Sequence, residues 1–139
     1  MSTEHASAAV PPVDWAALRD AALVATAGSY APYSGLRVGC AALVDDGRIV
    51  SGCNVENASY GLTLCAECVL VGSLHLGGGG RLTAFVCVDG EGNTLMPCGR
   101  CRQLLLEAAA PDFRIETPRG VRTMPDILPD AFGPEDLPA

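Results

Sequence analysis

The sequence contains no lysine: its nine basic residues are all arginine, against sixteen Asp and Glu, for a formal net charge of −7. Apart from Arg100 and Arg102 the arginines are scattered, so no basic stripe is visible that would displace counterions from a polynucleotide. Tight binding to duplex DNA or long RNA is not expected. No apolar run approaches the ~18 residues of a membrane span. The first ten residues, MSTEHASAAV, lack the basic start and apolar stretch of a signal peptide. The protein is therefore expected to be soluble and cytoplasmic, with no membrane partner. There is no internal repeat. Charged residues make up only 18% and hydrophobic ones 49% of the 139 positions, a composition that suits one globular domain. Residues 1–12, small and polar and ending in Pro11-Pro12, read as a loose tail, with the domain spanning 13–139.

Hydrophobic spacing predicts a helix from Trp15 to Ala27 capped by Asp14, then a hairpin of strands Leu36–Val44 and Arg48–Val55 turning at Asp45-Asp46-Gly47. A second helix is expected from about Leu64 to Leu76, capped by Thr63 and ended by Gly77–Gly80, which read as a flexible connection. Arg81–Val88 reads as a central strand, and Pro97 opens a helix to about Ala110. Short strands at Phe113–Thr117 and Val121–Thr123 and a helical turn at Pro125–Leu128 follow. The alternation in the second half predicts an α/β fold with parallel pairing: a single mixed sheet of about five strands, helices on both faces.

Seven cysteines, an odd count with no secretion signal, argue against a disulfide framework. Two pairs share one spacing, Cys65/Cys68 and Cys98/Cys101, both at expected helix starts. Helix N-termini carry partial positive charge and free amide donors, which favour thiolates, and soft sulfur ligands at this spacing favour zinc. Two readings stand. In the first, the four thiols form a closed structural site, as in a zinc-stabilised interaction module. Alternatively three hold an open zinc, with Glu67, two residues after Cys65, as general acid/base. The full apolar core, the run Val69-Leu70-Val71 after Cys68 and the position of Glu67 favour the second. Cys40, Cys53 and Cys87 read as small core residues.

Cys65-Ala66-Glu67 and Pro97-Cys98-Gly99-Arg100-Cys101-Arg102-Gln103 resemble the signature of the zinc-dependent nucleoside and nucleobase deaminases. Pro32-Tyr33-Ser34, Val38-Gly39, Gly52-Cys53-Asn54-Val55-Glu56-Asn57 and Leu128-Pro129-Asp130-Ala131-Phe132 extend the resemblance to the short bacterial cytidine deaminases, from about Tyr30 to Leu137. It implies a three-layer cytidine deaminase-like fold and one Zn²⁺ per chain on Cys65, Cys98 and Cys101, with a fourth position for water. Glu67 would carry protons between that water, the pyrimidine ring nitrogen and the departing amine. The implied substrates are free cytidine and deoxycytidine, in pyrimidine salvage. Asn54 and Glu56 would hold the ribose, the backbone at Ala66 the base edge and Tyr60 the pocket wall, with Leu36 at the position that stacks on the base, where its stacking is expected to be weaker. Phe132 would reach into a neighbouring subunit's site in a homotetramer.

Two departures from the resemblance are informative. Many relatives carry phenylalanine where this chain has Leu36, and arginine where it has Cys68. Three thiolates, Zn²⁺ and hydroxide sum to −2, so a cation from elsewhere is expected to offset the charge, with Arg102 or Arg100 bonding the ligand sulfurs. A deaminase of a cytosine-containing antibiotic nucleoside such as blasticidin S is the rival enzyme reading, although the sugar ligands Asn54 and Glu56 favour an ordinary ribose. An editing deaminase of RNA or DNA ranks below both, given the acidic charge.

Overall fold

A computed structural model describes residues 12–138; the loose tail expected over 1–12 lies outside these residues except for Pro12. The chain folds as expected into one mixed five-stranded sheet covered by helices on both faces. Its elements are α1 (Trp15–Ala25), β1 (Val38–Val44), β2 (Ile49–Cys53), α2 (Ala66–Leu76), β3 (Leu82–Asp89), α3 (Gly99–Ala108), β4 (Ala109–Thr117), β5 (Gly120–Thr123) and α4 (Met124–Ile127). Spatial order is β2-β1-β3-β4-β5. Only β3 and β4 run parallel; the other neighbours are antiparallel. Among the described residues, no helix is long and apolar enough to cross a membrane.

The period-two alternation of β1 and β3 builds both layers. Cys40, Ala42 and Val44 of β1 and Phe85 and Cys87 of β3 face α2 and α3, packing with Leu70, Leu74, Leu105 and Ile115. Ala41, Ala84, Val86 and Val88 face the other way, against Leu18 and Ala22 of α1. Asp14 caps α1, accepting from the Ala17 amide at 3.0 Å. Two glycines set how close the helices come. A Cβ at Gly39 would lie 2.1 Å from the Ala22 carbonyl oxygen of α1, and one at Gly52 would lie 2.4 Å from the Ala66 oxygen of α2. Each helix therefore rests directly on the strand backbone.

Element boundaries differ from the expected ones where tertiary pairing intervenes. Leu64 does not begin α2. It exchanges backbone bonds with Val55 (3.0 and 2.9 Å), which keeps it extended and makes Cys65, not Thr63, the N-cap. α3 begins at Gly99 with Cys98 as N-cap, and it stops at Ala108 because Ala109 joins β4 opposite Leu82. The four glycines after α2 are not a loose connection. Arg48 donates to the Gly77 and Gly79 carbonyls, and the Gly79 amide bonds Leu74 O at 2.8 Å.

Candidate active site

α2 and α3 lie side by side on one face of the sheet, bringing their N-termini together. Cys65, the α2 N-cap, meets Cys98, the α3 N-cap, and Cys101 in the first α3 turn; the three sulfurs all lie within 4.8 Å of one another. A tetrahedral zinc with bonds of about 2.3 Å needs its sulfurs about 3.8 Å apart, so the trio fits the ion. Cys68 is not part of this cluster. Its sulfur lies 3.6 Å from the Arg100 guanidinium, so the closed four-thiolate arrangement is not what the fold builds.

The ionisation of these thiols departs from the expectation that helix N-termini would favour every thiolate. Only Cys98 is lowered: slight burial opposes its charge, but the Cys101 amide and the Cys101 and Cys65 thiols outweigh it. Burial, then the charges of Cys98 and Glu67, push the Cys65 thiol up against a lowering bond from Cys101. Burial and then Glu67 push Cys101 up further. Crowded sulfurs held up by burial and like charge are the donor set that a soft dication stabilises as thiolates, which supports the fit.

Glu67, in the first turn of α2, is only 4% exposed. Its carboxyl contacts the thiols of Cys101 and of Cys87 on β3, whose pKa rises through burial and then that neighbouring charge. Cys87 was expected as core filler. Its place beside Glu67 follows from β3 running under both helices, and no local pattern signals it.

The polar end of β2 is stitched to the segment before β1. The Asn54 side chain, 8% exposed, accepts from the Ser29 hydroxyl (2.5 Å) and the Val38 amide (3.0 Å) and donates to Leu36 O (2.8 Å), leaving one N–H. Glu56 accepts from the amides of Tyr33 (3.0 Å) and Ser34 (3.1 Å) and from the Ser34 hydroxyl. That hydroxyl, and then the Ser34 amide, hold the Glu56 carboxyl below its ordinary value. With Tyr33, Ser34, Tyr60 and Thr63 it lines a cleft of about 390 Å³. Ser29 and Ser34 were not singled out in the sequence, although Ser34 lies in the Pro32-Tyr33-Ser34 segment.

Ala66 is buried, whereas Leu36 (50%), Tyr60 (75%) and Phe132 (57%) are exposed. Tyr60 packs edge-on to Tyr33, and the Phe132 carbonyl accepts from Gln103 at 2.8 Å. Of the two arginines offered as alternatives at the sulfurs, Arg100 is the one that lies there, 3.9 Å from Cys65 Sγ. Arg102 instead donates to the carbonyls of Pro97 (2.9 Å) and Ile127 (3.0 Å), tying the loop before Cys98 to α4.

Residues 14–117 match the family described as "Cytidine and deoxycytidylate deaminase zinc-binding region". A cytidine deaminase of Mycobacterium tuberculosis is 62% identical over 129 residues, 93% of this chain and 97% of that one. The crystal structure of cytidine deaminase from that species superposes with a TM-score of 0.85 at 62% identity, covering 88% of this chain and 99% of the other. The cytidine deaminase structure from Burkholderia pseudomallei does so at 0.77 with 38% identity, covering 86% and 100%. The matched region takes in both halves of the thiol cluster and the strands β1 to β4 beneath it, and the chain belongs to the cytidine and deoxycytidylate deaminase zinc-binding family.

Proposed function

We propose that the protein hydrolyses free cytidine and deoxycytidine to uridine and deoxyuridine, releasing ammonia, in pyrimidine salvage. One observation carries this reading: a buried carboxyl, Glu67, against a cluster that among the described residues holds three thiols and no fourth. Zinc on Cys65, Cys98 and Cys101 would supply a Lewis acid that makes water nucleophilic near neutral pH. Glu67 takes the first proton from that water and passes it to the ring nitrogen beside the carbon under attack. It then moves the remaining hydroxyl proton to the amine, so that ammonia departs and the ring keeps a carbonyl. Burial shields the carboxyl from bulk solvent during this transfer.

Glu56 and Asn54 recognise the sugar. The Glu56 oxygen bonded only by the Ser34 hydroxyl accepts one ribose hydroxyl, and the remaining Asn54 N–H donates to another. A free base would leave both groups unpaired and bind poorly. The Ala66 backbone takes the base edge. Leu36 and Tyr60 wall the pocket, and their exposure in one chain is what a site completed by Phe132 of a neighbouring copy requires. The assembly is a cytoplasmic homotetramer of chains with a single domain over 13–139.

Purified protein given cytidine should lose cytosine absorbance, yield uridine and contain about one zinc per chain. Turnover of blasticidin S with none of cytidine would transfer the reading to antibiotic nucleosides. Zinc without any turnover would leave a structural module.

A further inference from the structure

The thiol cluster carries an unresolved charge problem. Three thiolates around a zinc dication sum to −1, the Glu67 carboxylate is packed against Cys101, and the whole chain is at −7 with no lysine. The N-termini of α2 and α3 offset only part of this, about half a charge each. Among the described residues one guanidinium touches these sulfurs. Arg100, exposed in the first turn of α3, extends across to α2, where one nitrogen lies 3.6 Å from Cys68 Sγ and 3.9 Å from Cys65 Sγ. Cys65 and Cys68 are three residues apart, so they are neighbours on one face of the helix start. The short side chain at 68 leaves the guanidinium room to approach Cys65.

We propose that Arg100 is the positioning residue that neutralises the zinc thiolates from α3, and that Cys68 is the small partner that admits it. The two positions then form one unit. A cation belongs beside Cys65, and it can be supplied from α3 over a short residue at 68 or from residue 68 itself. This inference rests on the zinc reading of the cluster.

The test measures release of zinc from the loaded protein to a chromogenic chelator in wild type, Arg100→Gln, Arg100→Lys and the exchange variant Cys68→Arg/Arg100→Gln. Unfolding curves of the loaded proteins confirm that each variant is folded. Arg100→Gln should release zinc about tenfold faster at low salt, the lower end of the usual effect of such partners. The difference should shrink at 1 M salt, where the screening length falls to about 3 Å. Arg100→Lys should lie between wild type and Arg100→Gln, and the exchange variant should recover slow release. Equal release from wild type and Arg100→Gln at low salt would overturn the proposal while leaving the zinc site intact. So would a loss that salt leaves unchanged and that Arg100→Lys fails to lessen. A wild-type chain that takes up no zinc would strike the zinc reading itself, and this inference with it.

Discussion

Gly52→Ala should damage the site without altering any of its chemical groups. The added Cβ would lie 2.4 Å from the Ala66 carbonyl oxygen, 2.6 Å from the Leu70 nitrogen and 3.1 Å from the Leu70 Cα. All three are backbone atoms of the first turns of α2, so no side chain can swing aside. Restoring ordinary contact requires that end of the helix to back off by about 1 Å, and overpacking of this kind costs about 1–3 kcal/mol. For a domain of this size the loss corresponds to a Tm about 4–12 °C lower. Cys65 and Glu67 move with the helix, while Cys98 and Cys101 stay on α3. A misplacement of about 1 Å at a reacting group lowers kcat roughly 100-fold. Thermal unfolding of the zinc-loaded protein, followed by circular dichroism, and steady-state rates on cytidine would measure both effects. Gly72→Ala is the control, because no atom lies within 4 Å of the added Cβ on the same helix. It should gain about 0.5–1 kcal/mol from helix propensity. A Gly52→Ala protein within about 1 °C and twofold of wild type would refute the claim that close backbone approach positions the α2 start.

Gly39→Ala places its Cβ 2.1 Å from the Ala22 oxygen of α1, on the face away from the thiols; it should lower Tm comparably while zinc content stays at wild-type level, and metal loss would count against that separation. Glu67→Gln should reduce kcat by about 100- to 10,000-fold with zinc and Tm retained, and a loss under about tenfold would remove Glu67 as the proton carrier. Ser34→Ala removes the hydroxyl that contributes most to lowering the Glu56 carboxyl, so an NMR titration of that side chain should shift upward, toward the ordinary value of about 4.3. The sign for stability follows. A lowered carboxyl stabilises the fold above about pH 4.3, and that contribution is lost as pH falls through the folded value, a dependence Ser34→Ala should weaken. An unmoved titration would show that Ser34 does not hold the carboxylate.

Much of the site was legible because its signals are local. Cys98 and Cys101 sit one helical turn apart, and Cys65 and Glu67 open another helix, so spacing alone announces donors and a carboxyl at helix starts. The near-continuous apolar run within Arg81–Val88 likewise marks a strand central to the sheet. The same local reading began α2 two residues too early, at Leu64, and ran α3 two residues too far, to Ala110. The forces that moved those boundaries come from distant chain: Val55 pairs with Leu64, and Leu82 with Ala109.

What the sequence determined by itself is the inventory: the thiols and carboxyl, their register within each helix, and the period-two strands beneath. The tertiary structure decided which of them meet. It left Cys68 outside the cluster, placed Cys87 against Glu67, turned Arg102 to the backbone of α4 and brought Arg100 to the sulfurs. Such choices depend on how two helices rest on one sheet, and that is set by buried faces and the bare backbone at Gly52, contacts between residues far apart in the chain.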